Sequence, residues 1–580
     1  MSGPAAAKTF GRILADLAMQ VPEQKAFVFL PGGDRPEEAV TYAELYAKAA
    51  AVGQRVRELA GPEQTVLLLL PPGLEYVAAL LGCFHAGVIG VSAAPPHPKR
   101  LHRTLPRLLG IAEDAEVSCV LTTVAIEQVA LPFLSGEHPL ARARWLAVDE
   151  VSPDPEAPGP SAGGDVAFLQ YTSGSTADPR GVMLTQECLL SNCEFISRVF
   201  DIKEHTPEEC GFSWLPPYHD MGLIGGILQP LYVSGLSVMT SPLTVMKRPL
   251  FWLECISRYG AKVSGGPNFA YDLCVRRLRE QPPAEPLDLS TWKVAFNGAE
   301  PIRAESLDAF VTTFAGAGFE RSALLPCYGL AEATLMVTAT ASDEEPSIFA
   351  ASPSALEQGQ LLAPDEGEDP VRLVGCGAPA PDHGIAIVDE RSGRRSPPGQ
   401  VGEIWVSGPS VADGYWRRPE QSAEAFSVQL EGEGDTPFLR SGDLGAIVDE
   451  QLYVVGRIKD LIIVNGRNIH PHDLELVAEQ AHPLLRPHCG AAFGAGEEGL
   501  TELNLVLEID PGEADPAVIA RLVRRCVAQE LELQLGAIAL CPPGAVPKTT
   551  SGKVQRRLCG SLLAGGELEV QYLWRRDGVG

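Results

Sequence analysis

The chain has 580 residues, a formal net charge of −28, 45% hydrophobic residues and 21% charged residues. That length exceeds what one hydrophobic core supports, so two or more domains are expected. The acidic balance and the lack of a dense Lys/Arg run argue against a nucleic-acid binder and against wholesale binding to anionic membranes. A local basic patch, at Arg417-Arg418 or Arg556-Arg557, stays compatible with that charge.

The first twenty residues lack the layout of a signal peptide, because Asp16 interrupts any apolar core. The longest apolar run, residues 76–94, holds Gly82, His85, Gly87 and Gly90 and ends in Pro95-Pro96. It predicts a buried helix followed by a buried strand rather than a membrane span. Thirteen cysteines occur with no CxxC pair, and several sit in apolar stretches, as in a reduced cytoplasmic protein.

Short β-rich runs at 65–70, 88–92, 117–121, 166–170, 262–265 and 293–297 alternate with helical patterns. The helices are expected at 41–59, 101–115, 185–200, 250–259 and 268–279. This alternation predicts an α/β fold: a large N-terminal domain of parallel-type sheets flanked by helices. Short strands divided by turns at 384–389, 402–407, 446–448 and 452–455 add a smaller β-rich subdomain. From Asp460 onward the order is strand, helix (471–480), strand (489–493), strand (502–509), helix (516–531), a loop and a final basic helix. That reads as a compact α+β domain, with the boundary at 456–460. The division is therefore 1–458 and 459–580.

Four segments suggest chemistry. Tyr171-Thr172-Ser173-Gly174-Ser175-Thr176, then Pro179-Arg180-Gly181, follows an apolar strand, and its hydroxyls and backbone N–H groups suit phosphate oxygens. It contains no Walker motif, and an ordinary Ser/Thr/Gly turn is the plain alternative. Pro547-Lys548-Thr549-Thr550-Ser551-Gly552-Lys553 places two lysines in a chain with eleven Lys against 35 Arg. A flexible point charge suits charge developing at phosphorus; a solvated loop is the alternative. Ser441-Gly442-Asp443 with Gly456-Arg457-Ile458-Lys459-Asp460 suits ribose hydroxyls. Glu332, a lone acid in Tyr328-Gly329-Leu330-Ala331-Glu332, could hold Mg²⁺.

In this order the segments resemble the adenylate-forming superfamily of acyl-CoA synthetases, luciferases and peptide-synthetase adenylation domains. The matches, at 171–181, 214–222, 297–301, 328–332, 402–416, 441–443, 456–460 and 547–553, cover essentially the whole chain. The resemblance implies that Thr172, Ser173, Gly174, Ser175, Thr176 and Arg180 bind ATP phosphates and that Glu332 binds Mg²⁺. It also implies that Tyr328 and Gly329 stack on or border adenine, beside Asn297, Gly298, Ala299 and Glu300, and that Asp443 and Arg457 hold the ribose. Lys553 is implied as the catalytic lysine, Lys459 as the hinge of a small, mobile C-terminal domain, and His219 as a group at the acyl entrance; a hydrogen-bonded core histidine is the alternative for His219. His470 and His472 resemble a metal pair by spacing, but they belong to a segment with a packing role in the family.

Pro71-Pro72-Gly73, Pro216-Pro217-Tyr218-His219-Asp220-Met221-Gly222 and Leu330-Ala331-Glu332-Ala333-Thr334-Leu335 resemble one branch, the fatty acyl-AMP ligases. Between Glu332 and Gly375 lie 42 residues, an excess over acyl-CoA synthetases at about 342–372. Members of this branch carry an insertion there, packed on the N-terminal domain, that is thought to hinder CoA use; a disordered loop is the alternative. Ala331 for Thr is usual in this branch, whereas Arg180 for Lys keeps the charge and alters the shape.

The implied reaction uses ATP and Mg²⁺ to form a fatty acyl-adenylate. The acyl group then passes to the phosphopantetheine thiol of a separate acyl carrier protein in polyketide or lipopeptide biosynthesis. An acyl-CoA synthetase is the nearest rival, and a non-catalytic nucleotide binder is the rival from another class. The apolar acyl site is expected at Trp214, Met221, Gly222 and Ile227.

Overall fold

The computed structural model describes residues 8–33, 35–96, 101–134, 138–161, 163–172, 179–202, 209–283, 285–432, 434–464, 467–495, 502–549 and 552–576. Ser173, Gly174, Ser175 and Thr176 of the expected phosphate loop lie outside them.

The first half of the chain builds a six-stranded sheet in the order Arg144–Ala147, Cys119–Thr122, Thr65–Leu68, Ile89–Ser92, Val166–Tyr171, Gly181–Thr185. Every neighbouring pair is parallel except the last, in which Gly181–Thr185 returns antiparallel to Val166–Tyr171. The apolar run at 76–94 forms the predicted pair of elements: helix Leu74–Ala86, buried along almost its whole length, and strand Ile89–Ser92. Helix Tyr42–Leu59 can lie close against Leu74–Ala86 because both contribute glycine at the crossing. A Cβ on Gly82 would stand 2.7 Å from Val52 Cγ1, and one on Gly53 would stand 2.9 Å from the Gly82 carbonyl.

A nine-stranded sheet follows, with a parallel centre and antiparallel edges. Its strands Val263–Gly266, Val294–Asn297 and Leu324–Gly329 are parallel neighbours, and their C-terminal ends bring Gly298–Glu300 and Tyr328–Gly329 to one edge of the sheet. Ligands in open α/β folds bind outside such carboxyl ends. The core beneath is aromatic: Trp252 packs edge-on against Trp292 and Tyr271, and Phe310 against all but the first of these.

The β-rich part is an antiparallel five-stranded sheet that includes Gly402–Ser407, Pro437–Val448 and Gln451–Arg457. The excess segment is ordered, against the disordered-loop alternative. Ile348–Ala351 pairs antiparallel with Val371–Val374, and the short helix Pro353–Glu357 lies between them. Arg372 fastens this hairpin to helix Ala304–Phe314 through Asp308 at 2.8 Å and Glu305 at 3.3 Å. On its other side Phe349 packs on Tyr453 of the β-rich sheet.

Residues after 460 form a two-stranded ribbon and a four-stranded sheet, Leu485–Ala495, Glu502–Ile509, Leu535–Cys541 and Tyr572–Arg575, with helices Pro471–Gln480 and Pro516–Glu530. Two core clusters there, one around Leu474, Leu505 and Val523 and one around Val506 and Cys559, draw only on residues 462–574. The last strand, Tyr572–Arg575, was not expected from the sequence: four residues beside a charged tail give no alternation to read. Among the described residues no helix is long and apolar enough to cross a membrane.

Because Trp252 is fully buried among three aromatic rings, Trp252→Ala is expected to lower unfolding free energy by about 3–5 kcal/mol. Urea denaturation followed by far-UV circular dichroism measures it.

Candidate active site

The phosphate-loop segment starts where strand Val166–Tyr171 ends. Tyr171 donates to Asp114 at 2.6 Å, and Arg418 holds the other oxygen of that carboxylate at 2.7 Å. Arg107 donates to the Thr172 carbonyl at 3.1 Å, so helix Leu101–Asp114, which carries both Arg107 and Asp114, fixes the entry to the loop. Arg180, just past the loop, stacks its guanidinium 5.5 Å from the centre of the Tyr415 ring. The Tyr415 hydroxyl in turn donates to Glu332 at 3.1 Å. Burial raises the pKa of the Glu332 carboxyl, so a cation beside it would favour the charged form.

Opposite stands a chain of three side chains. Tyr328 donates its hydroxyl to Asp443 at 2.8 Å, and Arg457 meets the other oxygen of Asp443 at 2.8 Å. The register of the sheet causes this: Asp443 and Arg457 are direct cross-strand partners on the antiparallel strands Pro437–Val448 and Gln451–Arg457. A carboxylate has about four lone-pair sites, so Asp443 keeps acceptor capacity after both bonds. Gly329 next to Tyr328 admits no side chain, since a Cβ would lie 1.7 Å from the Leu335 carbonyl.

Gly298, Ala299 and Glu300 line the cleft, with Glu300 accepting from the Phe269 N–H at 2.7 Å. Ala299 holds φ at +71°, a left-handed conformation rarely adopted by alanine, at the turn where the chain leaves its strand. Asn297 stands one layer behind the wall, fully buried, with its amide donating to Asn268 at 3.3 Å.

His219 and Asp220 form the third side. Their Nδ1 to Oδ1 distance is 2.6 Å, and Asp220 also accepts the Met221 N–H at 2.7 Å. The next eight residues, Met221–Leu228, form a π-helix, a distortion frequent at functional sites. Burial raises the Asp220 carboxyl's pKa, but His219 and then Lys553 outweigh it, and the net shift is downward.

Lys553 reaches this cleft from the C-terminal residues. Its loop is closed by the Thr549 N–H donating to the Lys553 carbonyl at 2.7 Å and the Lys553 N–H donating to Thr549 Oγ1 at 3.1 Å. Gly552, at φ +91°, would place a Cβ 3.2 Å from Phe269 of the nine-stranded body. Burial and the like charge of Arg457 lower the Lys553 pKa, against opposing pulls from Asp220, Asp443 and Glu300. One ammonium thus sits among three carboxylates drawn from three different segments. Lys459 is exposed at the junction, and its carbonyl accepts from Arg557 at 2.8 Å.

The cleft encloses about 3330 Å³, several times the usual 300–1,000 Å³ of a small-molecule site. Of the expected acyl-pocket residues, only Met221 lines it. Trp214 is buried against Trp252 and Phe269, Ile227 is fully buried in the main core, and Gly222 is pressed on the Pro216 carbonyl. The apolar wall is instead made by residues the sequence did not single out, among them Ile196, Phe200, Gly225, Phe296, Leu335 and Met336. Phe200 and Phe296 stack at 6.2 Å from positions 96 residues apart, which no local pattern could reveal.

A family model described as AMP-binding enzyme matches residues 14–416. The chain belongs to the AMP-binding enzyme family. It is 40% identical, over 94% of its length and 93% of the relative, to the medium-chain-fatty-acid–acyl-carrier-protein ligase JamA of Moorena producens. It is 34% identical, over 92% of its length and 90% of the relative, to a long-chain-fatty-acid–AMP ligase of Mycolicibacterium smegmatis. Among solved structures, a fatty acyl-adenylate ligase from Legionella pneumophila in complex with acyl adenylate and pyrophosphate superposes with a TM-score of 0.75 at 35% identity, covering 99% of both chains. Within the family the chain is a member of the fatty acyl-AMP ligase branch.

The two histidines that resemble a metal pair in the sequence are packed side by side, with ring centroids 5.7 Å apart. A Cβ on Gly456 would stand 2.7 Å from His470 Nδ1. Among the described residues no group of His, Cys, Asp and Glu has a metal-binding arrangement. Burial, and then the neighbouring His472, lowers the His470 pKa to about 4; burial, and then Arg556, does the same for His472. Both rings therefore stay neutral in the folded ligase while the unfolded chain takes up protons below about 6.5, so stability falls as pH drops from about 6.5 toward 4. Urea midpoints at pH 7 and pH 5 are expected to separate more for the wild type than for a His470→Gln/His472→Gln variant. Equal separations would contradict the assignment.

Proposed function

We propose that this chain activates a fatty acid with ATP as its acyl-adenylate, releasing pyrophosphate, and then transfers the acyl group to the phosphopantetheine thiol of a separate acyl carrier protein, breaking the acyl–phosphate bond and releasing AMP. The observation that carries the reading is that Lys553, Asp220, Asp443 and Glu300, from four separate segments, line one cleft wide enough for a nucleotide and an acyl chain. The relatives support the acceptor, since JamA and the Teredinibacter turnerae ligase, 32% identical over 96% of this chain, are both named as acyl-carrier-protein ligases. A carrier-bound acyl product suits use in polyketide or lipopeptide biosynthesis.

In the first half-reaction a carboxylate oxygen of the fatty acid attacks the α-phosphorus of ATP, and the bond to the bridging oxygen breaks as pyrophosphate leaves. The chemistry asks for positioning and charge neutralisation rather than a protein base. Thr172 and Arg180, with Ser173, Gly174, Ser175 and Thr176, hold the phosphates. Tyr328, Gly329 and the edge Asn297–Gly298–Ala299–Glu300 border the adenine, with Asn297 acting from behind the wall. Asp443 accepts from the ribose hydroxyls with Arg457 fixing its orientation, and Lys553 bridges the incoming carboxylate and the phosphate.

Glu332 would hold Mg²⁺: it is an oxygen ligand at the phosphate side of the cleft whose charged form is disfavoured by burial alone. When bound, the ion neutralises phosphate charge. His219, oriented by Asp220, faces the acyl carboxylate beyond Met221. The alkyl chain lies along Phe200, Phe296 and Leu335, where each buried methylene contributes about 0.8 kcal/mol.

Residues 1–458 act as the adenylation body and 459–580 as the swinging domain, with Lys459 as the hinge. The thirteen cysteines, none in a disulfide, suit a reducing cytoplasm.

A product assay with ATP, Mg²⁺ and radiolabelled fatty acids tests the reading. Acyl-AMP that accumulates with CoA present and discharges onto a holo acyl carrier protein is expected. Rapid acyl-CoA formation would replace this reading with an acyl-CoA synthetase.

A further inference from the structure

The carrier acceptor proposed above raises a problem of charge. A chain of net charge −28 repels an acidic partner at long range, so any docking site for one has to be a local reversal of sign. Exposed arginines elsewhere are commonly tied to carboxylates: Arg12 to Asp16, Arg258 to Glu37, Arg394 to Glu431. One face of the C-terminal residues departs from that habit.

Helix Pro516–Glu530 carries Arg521, Arg524 and Arg525 and no acid before Glu530. All three are exposed, at i, i+3 and i+4, and therefore share one side of the helix. Val518, exposed to 41%, lies one turn earlier on the same side. Strand Tyr572–Arg575 runs at the edge of the adjoining sheet and adds exposed Arg575, with Arg576 directly after it. Arg524 joins the two elements by lying 4.0 Å over the Trp574 ring. The polar contacts of the group are neutral: Arg525 donates to Gln529 at 3.3 Å, and Arg576 donates to Gln534. Among the described residues none of these five arginines holds a carboxylate.

In this arrangement of the chain the face borders the cleft of the active site. The C-terminal end of the same helix and the residues after it, Gln529 to Leu533, line the cleft that contains Lys553. Arg525 stands four residues before Gln529, a rise of about 6 Å. A partner seated on the arginines would thus sit beside the rim of that cleft.

We propose that Arg521, Arg524, Arg525, Arg575 and Arg576, with Val518, form the docking surface for an acidic helix of the acyl carrier protein. The proposal rests on the carrier reading above and adds where the carrier binds. Guanidinium groups free of internal carboxylates can give forked hydrogen bonds to a partner's acids without first breaking an ion pair. Arg524, pre-set on the Trp574 ring, loses less side-chain freedom on binding than a solvated arginine.

The test uses the full chain and two variants, Arg521→Glu/Arg525→Glu and Arg521→Ala/Arg575→Ala, both sparing Arg524 and its contact with Trp574. Fatty-acid-dependent ATP–pyrophosphate exchange and transfer to free pantetheine are expected to match the wild type. The KM for a holo acyl carrier protein is expected to rise about tenfold in the charge-reversed variant, the scale of losing several exposed charge contacts, with a smaller rise in the alanine variant. Raising the salt concentration is expected to narrow the difference. Carrier kinetics equal to wild type in both variants would overturn the docking surface while leaving the carrier reading intact, and so would loss of binding to anionic vesicles with carrier kinetics unchanged. Wild-type enzyme that forms acyl-AMP but transfers to no carrier protein would overturn both.

Discussion

The site depends on a half-buried ammonium in a cleft whose carboxylates offset the cost of its charge. Burial alone disfavours the charged form of Lys553; Asp220, Asp443 and Glu300 oppose that, and Arg457 works against them. Each of those carboxylates is fixed by something else. Asp220 is set by His219 and the first N–H of the π-helix, Asp443 by Tyr328 and a cross-strand arginine, and Glu300 by the Phe269 N–H. The parallel sheet ends, the antiparallel register and the helical distortion serve one purpose: they aim three acids at the place a distant loop must bring its lysine. Preorganised charge of this kind needs no rearrangement when phosphorus chemistry begins.

The lysine comes from a region that packs its own core and meets the rest of the chain through few, largely polar contacts. His488 reaches Asp272 at 2.9 Å, and Arg467 holds Glu357 of the inserted helix at 2.6 Å. Around the junction, Arg556 grips Glu475 and also approaches Asp460, three residues past Arg457. Polar interfaces within a chain permit relative motion more readily than apolar ones. That is the mechanical condition for the proposed swing, in which the carboxylates of the body stay in place while Lys553 leaves them.

Much of this was legible in the sequence for physical reasons. Helices with strong periodicity and caps declared themselves: Thr41 caps Tyr42–Leu59 with a reciprocal bond to Glu44, and Pro471–Gln480 begins on its proline. The residues proposed to face the nucleotide sit in turns rich in Gly, Ser and Asp, where backbone demands restrict the choice of residue; Gly329, with no room for a Cβ, is the extreme case. The acyl wall was not legible. Trp214 and Ile227 are apolar and near the motif, yet they point into packed cores, while Ile196 and Phe200, one helical turn apart, meet Phe296 only through tertiary packing. Apolarity marks burial and says nothing of which buried face borders a cavity. The segment at 342–372 was conspicuous by length, but its hairpin was hidden by acidic and proline-rich flanks.

The central claim is that Lys553 acts in forming the adenylate and has no part in discharging it. Lys553→Ala separates the two steps. Fatty-acid-dependent ATP–pyrophosphate exchange is expected to fall by about 10²–10³-fold, the usual loss when one preorganised charge is removed from a transition state. Transfer of the acyl group from added acyl-AMP to a holo carrier protein is expected to stay within about threefold of wild type, given the ordinary scatter of such effects. Exchange that survives the substitution unchanged would contradict the account.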